Sequence, residues 1–132
     1  MRLLDTIVLI ASLDPKHPLY GRAIKHLQSV RSPDVFVPCV VMHECELVLR
    51  KKLRIREIDI ERIFQNLTLM IPNAKVVAAD AETHRIATTM SIAGQDRGGY
   101  TDTMIASMAK QHQAEVVSTD SAFRGMGVRT IW

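Results

Sequence analysis

Two apolar runs in this chain stop at an aspartate. In "LLDT", residues 3–6, Asp5 follows Leu3 and Leu4; in "VVSTDSAF", residues 116–123, Asp120 comes soon after Val116 and Val117. Short apolar runs bounded by polar residues read as buried strands. Both acids therefore fall at the carboxyl end of a strand. A loop aspartate is the simplest account of either one alone. Two strands that both end in carboxylates suggest one shared site, because ligands of open α/β sheets bind outside the carboxyl ends of the strands.

Helix geometry selects two further acids. At about 100° per residue, a helix from residue 40 gathers Val40, Val41, Cys45, Leu47, Val48 and Leu49 into one broad apolar face. Glu44 falls inside that face, and Glu46 points almost the opposite way as a surface glutamate. An ionised carboxylate on a core-facing side is costly unless it is paired or coordinates a cation. Glu44 is thus either an acid at the core edge paired with an arginine or part of a site. In a helix opening at Thr101, Met104, Ile105, Met108 and Ala109 form the apolar face and Asp102 lies on its flank. The helix dipole alone favours an acid there. Yet Asp102 follows the glycine-rich stretch "GQDRGGY", so it can face a cleft as easily as solvent, and the same helix N-terminus could help hold a phosphate.

Asp5, Glu44, Asp102 and Asp120 in one cleft would repel one another and raise their own pKa values. The usual remedy is a hard divalent cation, and all-oxygen ligation suits Mg²⁺ or Mn²⁺. A metal so held lowers the pKa of a bound water and stabilises charge on a phosphoryl transition state. The chemistry implied is phosphodiester hydrolysis. Thr6 and Thr119 sit beside two of the acids, where their hydroxyls could orient carboxylates or waters; threonine is also common in turns without such a role.

The elements that must position these acids alternate along the chain. Strands are expected at 2–4, 35–38, 75–77, 115–118 and 128–131, and helices at 6–13, 18–30, 40–53, 57–69, 81–92 and 101–113, with Asp80 capping the fifth helix. The pattern predicts an α/β domain with a mainly parallel central sheet flanked by helices on both faces. At 132 residues the chain suffices for one domain, 1–132. It is 47% hydrophobic with only 5% aromatics, so its core must be built of Val, Ile, Leu, Met and Ala. The net charge of +3 permits a polyanionic partner without demanding one. No apolar run reaches the roughly 18 residues that span a bilayer, and Asp5 interrupts the only stretch resembling a secretion signal. No membrane association is expected, and the reading is of a cytoplasmic protein.

Cys39 and Cys45, six residues apart on one helix, are badly placed for a disulfide and fit a reducing compartment. With His43 they do not complete a zinc set, because no second Cys/His pair follows. "RKKLRIRE", 50–57, is the densest basic run: a solvated helix end, or a contact for RNA or a partner. Arg85, Arg97 and Arg124 could line the cleft, and Asp96 could assist as a fifth acid. The seven methionines read as adaptable core filler. The helices at 18–30 and 57–69 supply the candidate apolar faces for a protein partner or a second subunit.

Three blocks also carry a resemblance over nearly the whole chain. "LLDTIVLIASLDPKHPLYGRA", "FVPCVVMHECELVLR" and "YTDTMIASMAKQHQAEVVSTDSAF" together resemble a PIN-domain ribonuclease, specifically the toxin of a VapBC-type toxin–antitoxin pair. Residue by residue, that family's acidic cluster falls on Asp5, Glu44, Asp102 and Asp120, the four acids that geometry selects. The resemblance implies a single PIN-like domain, a Mg²⁺- or Mn²⁺-dependent ribonuclease, an RNA substrate, a cognate antitoxin and a homodimer. The main alternative is a non-catalytic PIN-like module that binds RNA or protein. A receiver-like signalling domain would need an acidic pair near the first strand and a lysine after a late one, and neither is present. No glycine-rich phosphate fingerprint follows the first strand.

Overall fold

The computed structural model describes residues 1–132. Its five strands are β1 (Arg2–Leu4), β2 (Val35–Pro38), β3 (Val76–Val77), β4 (Glu115–Val117) and β5 (Thr130–Ile131). They alternate with α1 (Thr6–Ser12), α2 (Tyr20–Gln28), α3 (Cys39–Leu47), α4 (Glu57–Met70), α5 (Ala81–Ile92), α6 (Tyr100–Gln111) and the short α7 (Ala122–Gly125). All strand pairs are parallel, in the order β3-β2-β1-β4-β5. The chain builds outward from β1 through β2 to β3, then returns to lay β4 on the other side of β1. The β1–β4 edge is thus the point where the winding direction reverses, and a crevice opens at such a point.

The strands are short but almost wholly apolar, because a parallel sheet is covered on both faces. Leu3, Leu4, Val35, Val37, Val116 and Val117 are all buried. The central helix is α6, in which Thr103 through Ala109 are buried without interruption. A helix buried all round must satisfy its polar groups internally. Ser107 does so by donating to the Thr103 carbonyl at 2.7 Å. Asp80 caps α5 as expected, accepting the Thr83 N–H at 2.9 Å, and Gln111 at the end of α6 donates to the same carboxylate. One acid thereby ties two helices together.

Some boundaries differ from the sequence expectation. The helix expected over 40–53 is α-helical only to Leu47, then widens into a π turn over Val48–Lys52 that closes with the Leu53 N–H on the Val48 carbonyl. The chain leaves through Arg54, whose φ of 52° lies in the left-handed region. The helix expected over 18–30 ends at Gln28 and tightens to a 3₁₀ turn over Ser29–Arg31, which satisfies carbonyls left free at a helix end. Lys75, expected to open a strand, instead ends a 3₁₀ turn. The segment after Asp120, expected as a turn, forms α7. Cys39 and Cys45 are free thiols. No helix is long and apolar enough to cross a membrane.

Ile105 has no exposed surface and sits in the core cluster on α6. Ile105→Ala is expected to cost about 2–5 kcal/mol in urea unfolding. A loss below about 1 kcal/mol would contradict the packing of α6 described here.

Candidate active site

The site starts from one backbone pairing. β1 and β4 run in register with Leu4 opposite Val117, so Asp5 comes level with Ser118. The Asp5 N–H donates to the Val117 carbonyl at 3.2 Å and extends the ladder by one residue. Beyond that point the two chains part, β1 into α1 and β4 into the turn that leads to α7. Asp5 is the N-cap of α1: its backbone is extended and its Oδ1 accepts the Thr6 N–H at 2.7 Å. Its Oδ2 accepts the Ser118 hydroxyl at 2.6 Å. The carboxyl is 6% exposed. Burial pushes its pKa up to about 6, with smaller upward pushes from the charges of Asp102 and Glu44; the two hydrogen bonds pull the other way.

The other three acids arrive from separate elements. Glu44, on α3, accepts the Thr6 hydroxyl at 2.5 Å. Thr6 therefore links the first strand's end to α3, as the sequence reading allowed. Asp102, in the first turn of α6, turns back so that its Oδ2 accepts the Gly99 N–H at 3.0 Å. Its pKa is raised, first by burial and then by the charges of Glu44 and Asp120, against the pull of that hydrogen bond. Asp120 is exposed, accepts the Ala122 N–H at 2.7 Å, and gives its own N–H to the Ser118 hydroxyl at 3.0 Å.

All four carboxylates line one open cleft of about 280 Å³, with Thr6, Ile7, Ile10 and Val48. Ile7, Ile10 and Val48 form the apolar part of its lining. No lysine, arginine or histidine forms an ion pair with any of the four. Glu44 is thus not the arginine-paired acid at the core edge that was its alternative reading. Glu46, by contrast, is bonded to Arg50 at 2.5 Å and lies 3.7 Å from the exposed His43, as a surface residue should.

Several other expectations are corrected. Thr119 is exposed and its hydroxyl bonds to none of the acids; the neighbouring Ser118 does that work, because the residue level with Asp5 in the sheet is the one whose side chain turns toward it. Asp96 lies not in the acid cleft but in a separate hollow between α5 and α6, with His84 and Tyr100. Arg85 is held by Glu82, and neither it nor Arg97 nor Arg124 lines the cleft. Two hollows, of about 480 and 500 Å³, are larger than the acid cleft. The larger, between α3 and α4, holds three glutamates, but Arg50 and His43 share its rim. Only the smaller cleft combines convergent acids with the absence of a cationic partner. Cys45, next to Glu44, is no nucleophile: burial, then the Glu44 charge, pushes its thiol up to about 12.

The PIN domain family model matches residues 2–128. The chain belongs to the PIN domain family. Among solved structures, this PIN domain is similar to FitAcB from Neisseria gonorrhoeae, at 23% identity and a TM-score of 0.76, covering 100% of this chain and 97% of that one. FitAB bound to an IR36 DNA fragment matches at 23% identity and a TM-score of 0.75, over 99% of this chain and 94% of that one. VapBC2 from Rickettsia felis, bound to a DNA fragment from its promoter, matches at 14% identity and a TM-score of 0.71, over 99% and 98% of the two chains. No curated protein matches the sequence.

The raised pKa of Asp5 has a consequence for stability. Its unfolded value is near 3.8 and its folded value about 6. Between these the native state binds the more protons, so the stabilisation from the protonated acid is present at low pH and is lost as pH rises through about 6. Asp34, held at about 2 by its hydrogen bonds from Ser32 and Arg2, acts in the opposite sense below pH 4. In metal-free protein at about pH 7, Asp5→Asn is expected to raise stability by on the order of 1–3 kcal/mol in urea unfolding, and to flatten the decline between about pH 4 and 7. A destabilised variant that kept the full decline between about pH 4 and 7 would show that Asp5 is not under this strain.

Proposed function

We propose that this PIN-domain protein is a divalent-metal-dependent ribonuclease that hydrolyses RNA phosphodiester bonds and serves as the toxin of a toxin–antitoxin pair. One observation carries the enzymatic part: four carboxylates from four elements line a single cleft that contains no cationic side chain paired to them. Gathering like charges without a partner costs stability. The donor set, all carboxylate oxygen, fits a hard divalent cation. As they stand, no three of these acids form a ready-made cage; Mg²⁺ commonly keeps several waters in place of protein ligands.

Asp5, Glu44, Asp102 and Asp120 are the residues that would hold the ion. When bound, it would offset phosphate charge and make a water more acidic. The protein's own groups supply orientation. Ser118 and the Thr6 N–H fix both oxygens of Asp5, the Thr6 hydroxyl fixes Glu44, and the Gly99 N–H fixes one oxygen of Asp102. Asp120, the most open of the four, is free to meet solvent and substrate. In the hydrolysis the water oxygen bonds to phosphorus, one phosphorus–oxygen bond to ribose breaks, and the released alkoxide takes up a proton.

Substrate contact is assigned to the basic end of the π turn. Lys51, Lys52 and Arg54 are exposed and outside any ion pair, and they follow Val48, which lines the cleft. Cationic side chains beside the acids would offset repulsion between the RNA backbone and the cleft. The toxin role rests on the similarity to the FitAB and VapBC2 assemblies. For an antitoxin or a second copy in a homodimer, α4 is the better of the two expected faces. Ile58 and Leu69, three turns apart and on one side of it, are 61% and 84% exposed. A cytoplasmic setting is part of the same reading.

The test is cleavage of a mixed RNA pool by purified protein with Mn²⁺ or Mg²⁺, with chelator, and with Asp5→Asn or Asp102→Asn. Cutting is expected only with metal and is expected to fall roughly 10²–10³-fold in either variant. Well-folded protein that neither cuts RNA nor binds Mn²⁺ by calorimetry would instead establish the non-catalytic binding module.

A further inference from the structure

The loop before α6 contains two adjacent glycines whose surroundings are opposite. A Cβ added to Gly99 would meet nothing within 4 Å. A Cβ added to Gly98 would lie 2.5 Å from Asp102 Cβ and 2.8 Å from its Cγ, and would also collide with Oδ2. All three nearest atoms belong to Asp102. Rotating the Asp102 side chain cannot relieve this overlap, since its Cβ is fixed by the helix backbone. A side chain at 98 would therefore force the loop and the first turn of α6 apart. That movement breaks the Gly99 N–H bond to Oδ2, the one contact that holds the carboxylate back over the loop.

We infer that Gly98 is a positioning residue for the acid cleft: its lack of a side chain is what lets Asp102 pack against the loop and keep its place among the four carboxylates. The requirement is steric, because Gly98 does not occupy the left-handed backbone region where only glycine is comfortable. Asp102 thus depends on a residue that carries no chemistry of its own. The inference bears on metal binding only through the proposed function above, but the loop geometry can be read without metal.

The experiment compares Gly98→Ala with Gly99→Ala, the same methyl moved by one residue. In metal-free protein, the Gly99 amide resonance of Gly98→Ala is expected to shift toward its position in Asp102→Ala, which removes the acceptor. Mn²⁺ affinity by calorimetry is expected to fall about tenfold or more in Gly98→Ala and to stay within about twofold in Gly99→Ala, where the space is open. A folded Gly98→Ala protein whose Gly99 amide stays at the native position overturns the inference. If the native protein itself binds no Mn²⁺, the metal reading fails, while the amide shift still decides the role of Gly98. Should Gly98→Ala be too unstable for these measurements, its folding and thermal midpoint in an Asp102→Gly background decide. Alanine at 98 is expected to cost little in an Asp102→Gly background, which removes the colliding Cβ. An equal loss in both backgrounds overturns the inference.

Discussion

Parallel pairing of β1 with β4 is the constraint on which the site depends. These two strands are far apart in sequence, and the chain reverses its winding direction between them. Their register brings Asp5 level with Ser118 and lets one hydroxyl serve two partners, accepting from the backbone of Asp120 while donating to the side chain of Asp5. A slip of this register would break that hydroxyl bridge and misalign Asp5 and Asp120. The sheet is buried on both faces, so the apolar residues of β1 and β4 resist any slip. Precision at the site is therefore inherited from packing in the core.

The same arrangement stores electrostatic tension. Burial and neighbouring charges raise the pKa of both Asp5 and Asp102, and the hydrogen bonds to them offset only part of the push. Several acids elsewhere are paired locally: Asp34 with Arg2, Glu82 with Arg85, Glu115 with Arg129. In the cleft no such cation offsets the charges of Asp5, Glu44, Asp102 and Asp120. Strain of this kind is tolerated where function needs it and is offset by the rest of the fold.

Positioning in the cleft is divided among separate elements. Asp5 is held at both oxygens at the end of a central strand. Glu44 stands on α3 and is held by Thr6. Asp102 rides on the buried helix α6, but its carboxylate is aimed by the loop in front of it. Asp120 lies on an exposed turn. Exposure rises from the buried Asp5, through the half-buried Glu44 and Asp102, to the open Asp120.

Much of this was legible in the sequence. Alternating apolar strands and amphipathic helices specify an α/β fold, because a strand's period of 2 and a helix's period of 3.6 are local properties of the backbone. The glutamate in the apolar face of α3, and the aspartates that end two strands, stood out because a carboxylate beside apolar residues needs a reason to be there. Ser118 did not stand out. The sequence offered Ser118 and Thr119 side by side, and choosing between them requires knowing which residue lies opposite Asp5. Strand register is a long-range property, set by packing across more than a hundred residues. The exclusion of Asp96 and of three arginines from the cleft, the bond from Thr6 to Glu44, and the tight fit of Asp102 over Gly98 were likewise decided only in three dimensions. Residue types and local spacing determined which groups were capable of the chemistry; tertiary packing decided which of them meet, because side-chain direction at the ends of strands and helices follows from how those elements dock.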